Sequence, residues 1–97
     1  MHINLDTGII KIEGILNCSN VTETQFKIEC ALDFLNRLTL NLSDLEEMDV
    51  SFMIYLLMER AKEKNKIIIL TGCENDIISK AFNLAGLKHI LPPYLAV

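Results

Sequence analysis

Leu38-Thr39-Leu40-Asn41-Leu42-Ser43-Asp44-Leu45-Glu46-Glu47-Met48-Asp49-Val50-Ser51-Phe52-Met53 holds the transition on which the fold turns. Leucines at 38, 40 and 42 alternate with Thr39 and Asn41, the period of a strand with one buried face. Acidic residues follow, and then a greasy run from Phe52 to Met58. Strand, acidic loop and helix in that order put a small polar site at a helix N-terminus, where free backbone N–H groups and the positive end of the dipole lie. Ser43-x-x-Glu46 has capping-box spacing, but Met48-Asp49 follows too soon for a helix to grow, so the segment reads as turn chemistry in a loop. The helix is expected from near Ser51 to near Lys64, about 21 Å long.

Upstream, Ile3 and Leu5, then Ile10 and Ile12, alternate with polar residues around Asp6-Thr7-Gly8, which predicts a β-hairpin. Asn17 to Asn20 is a loop of cap-forming residues. Val21, Ile28, Ala31, Leu32 and Leu35 then fall at helical spacing, with Asn20 or Thr22 as the cap and Thr22-x-x-Gln25 as a capping box. Downstream, Ile67-Ile68-Ile69-Leu70 is unbroken and β-branched, which predicts a central strand covered on both faces. A last helix carries Ile77, Ile78, Ala81, Phe82 and Ala85 on one face. Gly86 stands at its C-terminal cap, and Leu87, Ile90 and Leu91 form a final turn or short strand before Pro92-Pro93. Strands separated by helices imply right-handed crossovers and a largely parallel sheet.

Ninety-seven residues, 51% apolar and 23% charged, predict one domain over residues 1–97. A net charge of −4 argues against a nucleic-acid partner. Arg60, Lys62, Lys64 and Lys66 are interleaved with acids and read as a solvated helix end. Cys18, Cys30 and Cys73 lack Cys-x-x-Cys spacing and read as reduced thiols of a cytoplasmic protein. No leader opens the chain, and its longest apolar stretch is far short of the roughly 20 residues of a membrane span, so no membrane insertion is expected.

With these elements in place, the chain resembles the STAS domain, the fold of bacterial anti-sigma-factor antagonists. Gly14-Ile15-Leu16-Asn17 resembles the family's Gly-x-Leu-Asp, Leu40 to Leu45 its strand ending in a short acidic loop, and Ala85-Gly86-Leu87 its small-Gly-Leu. Asp49-Val50-Ser51-Phe52 lies where the family has Asp-Ser-Ser-Gly. The resemblance implies a single-domain α/β fold in the order β-β-α-β-α-β-α, with helices packed against a mostly parallel central sheet. It also implies partner switching, in which a serine kinase that is itself the anti-sigma factor phosphorylates the first hydroxyl after the Asp. A phosphate there adds roughly two negative charges to the binding face and ejects the partner. Val50 occupies that position and cannot accept one; Asn17 and Phe52 depart from the family pattern as well.

Ser51 is the hydroxyl left at the helix start, and it reads as an N-cap in preference to a displaced phosphosite. Asp44, Glu46, Glu47 and Asp49 lack the alternation and Gly of a calcium loop, so no metal is expected; they read as a solvated loop or, functionally, as an acidic rim to a binding surface. In the second helix Met53, Leu56 and Leu57 match the family's core. Phe52, Ile54, Tyr55 and Met58 should then lie at or near the surface, as a greasy row for a partner or a second copy of the chain. His2 and His89 stand near no signature, and Thr71-Gly72-Cys73 lacks the glycines and lysine of a nucleotide loop, so neither catalysis nor a cofactor is expected. The expected surface is thus the Asn17–Asn20 loop, residues Asp44 to Phe52, and the outer side of the second helix. The partner implied is a serine-kinase-like anti-sigma factor. The second expectation is an accessory subunit bracing the ATPase of a lipid-transport ABC complex, suggested by the early finish after Leu91-Pro92-Pro93.

Overall fold

Asn4 sets the first turn. Its Oδ1 accepts from the N–H groups of Asp6 at 3.0 Å and Thr7 at 3.2 Å, and Gly8 at φ +72° completes the reversal. This joins β1 (His2–Asn4) to β2 (Ile9–Lys11) as the expected antiparallel hairpin, with Ile3 opposite Ile10. The computed structural model describes residues 1–48, 51–84 and 86, and for residues 51 and 52 the backbone alone. The chain continues through β3 (Gly14–Leu16), α1 (Val21–Phe34), β4 (Arg37–Asn41), β5 (Leu45–Met48), α2 (Ser51–Glu63), β6 (Ile67–Thr71) and α3 (Asp76–Leu84).

The main sheet has the order β1-β2-β4-β6, antiparallel between β1 and β2 and parallel thereafter. This is an α/β fold with a mixed, mostly parallel sheet. The crossovers through α1 and α2 step the same way across the sheet, and right-handed crossovers in one direction put both helices on one face. Burial follows. Ile10, Leu38, Leu40, Ile68 and Leu70 are in the core, whereas Ile9, Arg37, Ile67 and Thr71 are exposed. The expectation of a central strand covered on both faces at Ile67–Leu70 is therefore corrected: among the described strands β6 lies at an edge of the main sheet, and Ile67 is 57% exposed. An unbroken β-branched run does not reveal which face a helix covers.

Two strands were absent from the expected order. β3 and β5 pair in parallel as a separate ribbon beyond β2 and β4, and Gly14 N–H donates to the Asp44 carbonyl where the ribbon begins. At three and four residues, neither is long enough for alternation to announce it.

The second helix differs most from expectation. Ile54, placed at the surface by the sequence, is fully buried with Met53 and Leu57, while Leu56, placed in the core, is 36% exposed. Tyr55 and Met58 are half-buried against the core. Ile54, Leu57 and Ala61 lie three and four residues apart on one stripe, and that stripe faces the sheet and α1. Asn65 at φ 59° ends the helix. Lys66 N–H donates to the Ala61 carbonyl and Asn65 N–H to that of Lys62, the bonding pattern of a Schellman motif. The basic end is not simply solvated: Arg60 pairs with Glu29 of α1, Lys64 lies 3.7 Å from Asp33, and Lys66 donates to the Leu32 carbonyl.

Candidate functional site

Of the polar residues singled out in the sequence, Asn17, Asp44, Glu46 and Glu47 lie close together, at the end of the molecule where the parallel strands finish. Their arrangement begins with an irregularity. Along β3 and β5, Gly14 faces Leu45, but Ile15 faces Glu47 and Leu16 faces Met48. Glu46 is therefore an extra residue, a β-bulge. A bulge breaks the two-residue period and re-aims side chains. Leu45 and Met48 both point into the core, and the consecutive Glu46 and Glu47 are both exposed.

Beside this acidic pair runs a groove of about 350 Å³. Leu16 and Met48 of the ribbon and Ile77 and Ala81 of α3 form its apolar part, with Asn17, Glu46, Glu47, Lys80 and Leu84 also lining it. Leu84 is 89% exposed. Lys80 and Leu84 drew no attention in the sequence; their i, i+4 spacing alongside Ile77 and Ala81 is the signal that α3 presents more than its core stripe.

Asn17 spends its side chain on its own loop, its Oδ1 accepting from Ser19 N–H at 2.9 Å and Ser19 Oγ–H at 2.6 Å. Asn20, expected to cap α1, makes no side-chain bond to the helix. Its Oδ1 accepts from Asn17 N–H at 3.0 Å and its Nδ2 donates to the Ile15 carbonyl at 2.7 Å, locking the loop onto β3. Thr22 lies inside α1 and is no cap either.

Asp44 pairs with Lys11 at 2.6 Å, and its hydrogen bond and charge hold the lysine above its ordinary pKa. The neighbouring loop is fixed from α3: Asn75 Nδ2 donates to the Leu45 carbonyl at 2.9 Å and to that of Ser43 at 3.3 Å. Gly72 has φ +76°, and a Cβ there would lie 2.3 Å from Ser43 N, so the Thr71-Gly72-Cys73 turn packs against the acidic loop. Cys73 is buried, and burial, helped by the Glu74 carboxylate, pushes its thiol up to about 11. Such a thiol is a poor nucleophile.

Ser51 is the first residue of α2. Asp49 and Val50 lie outside the described residues, as do the side chains of Ser51 and Phe52. Among the described residues, no three His, Cys, Asp or Glu side chains come together as metal ligands. No helix among them is long and apolar enough to cross a membrane.

Comparison of the sequence with models of known families finds no match, and comparison with characterised proteins finds none either.

Proposed function

We propose that this chain is a non-catalytic protein-interaction module of STAS type, related to bacterial anti-sigma-factor antagonists and acting in cytoplasmic partner-switching control of transcription. The observation that carries the reading is the bulge at Glu46. It turns two adjacent carboxylates outward beside a groove that also holds Asn17, and bulges are frequent next to functional sites. The crossovers supply a second support. In open α/β sheets small ligands bind where the direction of the strand order reverses, and β2, β4 and β6 follow one another without reversal.

Ile54 leaves the proposed surface, because it is core. The proposed surface keeps Asn17, Asp44, Glu46 and Glu47 with half-buried Tyr55 and Met58, is extended by Lys80 and Leu84, and retains Asp49, Val50, Ser51 and Phe52 from the sequence reading. A rim bearing three exposed carboxylates suits a basic partner face and makes association fall with salt. Val50 leaves the family's acceptor position without a hydroxyl, so binding is constitutive.

The test is the partner. Affinity capture from the source cell, with mass-spectrometric identification, should recover a serine-kinase-like anti-sigma factor. Recovery of a transporter ATPase instead would reject the signalling role and favour the accessory-subunit function. Incubation with the kinase and ATP should leave the chain unmodified, and Val50→Ser should create an acceptor.

A further inference from the structure

Helix α1 carries two apolar stripes. Ile28, Ala31 and Leu32 are buried in the core, but Phe26, Cys30 and Phe34, at i, i+4 and i+8, form a second stripe on another side. Phe26 is 66% exposed and Phe34 79%. Between this stripe and Ile3 and Leu5 of the first hairpin lies an apolar groove of about 320 Å³, and among the described residues that line it Lys27 is the one with a charge. Lys27 is held at 3.0 Å by Glu23 of its own helix.

β1 is one of the two outer strands of the main sheet, and all three of its residues are exposed. Native edge strands are commonly protected by being short, as β1 is at three residues, or by charge, proline or a covering element. This one presents Ile3, and its backbone groups facing away from β2 pair with no other described strand.

We propose that this face joins a second copy of the chain, the two β1 strands pairing antiparallel about Ile3 and each groove receiving aromatic rings of the other copy. The face is self-complementary, as a twofold interface requires, because projecting rings and an apolar depression occur on the same surface. The area is also of the right order. A phenylalanine exposes roughly 200 Å² when free, so Phe26 and Phe34 with Ile3 and Leu5 present roughly 400 Å² of apolar surface per copy. Doubled, and with the strand backbone and the rim added, this reaches about 1,000 Å², the lower bound for a specific interface. An interface at that lower bound belongs with weak, concentration-dependent dimers. The groove shares no residue with the one beside Glu46, so the two proposals stand or fall separately.

Analytical ultracentrifugation of the whole chain from low micromolar to millimolar concentration is the test. The average mass should rise towards twice that of the monomer. Phe34→Asp and Ile3→Lys, both at exposed positions, should each weaken association by about tenfold or more without changing the circular dichroism. Alkylation of Cys30 should slow as concentration rises, while that of Cys18, exposed in the loop before α1, should not. A chain that stays monomeric throughout overturns the proposal, as does a dimer that survives both substitutions.

Discussion

Asn75 binds Leu45 across the acidic end of the molecule: its Nδ2 donates to the Leu45 carbonyl at 2.9 Å, while its Oδ1 accepts from Ile77 N–H at 3.1 Å. One amide thus caps α3 and holds β5 at the residue before the bulge. Neutral hydrogen bonds contribute about 1 kcal/mol each, and an N-cap about as much. Asn75→Ala should cost about 2–3 kcal/mol in urea unfolding. Asn75→Asp keeps the cap acceptor but loses the donor to Leu45, so it should recover only part of that loss.

Gly72 and Gly86 share a left-handed backbone, at φ +76° and +71°, but not the same surroundings. Among the described residues nothing lies within 4 Å of a Cβ built on Gly86, so Gly86→Ala should cost the conformational penalty, about 1–2 kcal/mol. At Gly72 the obstruction is Ser43 backbone, which no rotamer change relieves. Gly72→Ala should therefore cost about 3 kcal/mol or more and lower the melting temperature by about 12 °C or more. Equal effects at the two sites would show that the Ser43 contact is not rigid.

In α2, Ile54→Glu would bury a carboxylate in the core and should destabilise by about 4 kcal/mol or more, a large part of the roughly 5–15 kcal/mol that holds a domain together. Leu56→Glu, two residues away and partly exposed, should change stability by less than about 1 kcal/mol. Circular dichroism in denaturant separates the two.

The Cys73 thiol ionises near 9.0 ordinarily and near 11 in the folded chain. Between those values the unfolded state binds fewer protons than the folded one, so stability falls as pH rises and levels off above about 11. The alkaline decline should be shallower in Cys73→Ala than in the parent. At about pH 8, alkylation should mark Cys18 well before Cys73.

Much of this was legible in the chain. The alternation of Leu38, Leu40 and Leu42 was long enough to fix a one-faced strand, and Gly86 fell where a left-handed cap forms. The hidden part has identifiable causes. The bulge at Glu46 gives an apolar-polar-polar-apolar pattern that matches neither a strand nor a helix period, so β5 looked like loop. In Phe52 to Met58, apolar on all sides, the period that would show Ile54 as core and Leu56 as surface is erased. Asn20 and Asn75 have cap chemistry, but their second bonds reach residues 5 and 30 positions away, which local sequence does not announce. Phe26, Cys30 and Phe34 were readable as a second stripe at helical spacing, yet the stronger core stripe beside them masked it.

Chemical-shift mapping of the isotope-labelled chain with its purified kinase-like partner tests the central claim most directly. Perturbations should concentrate at residues 16–20, 44–48 and 77–84 and be abolished by Glu46→Lys with Glu47→Lys, whose free fold is unchanged. Perturbations confined to β1 and the outer stripe of α1, or binding indifferent to both charge reversals, would contradict it.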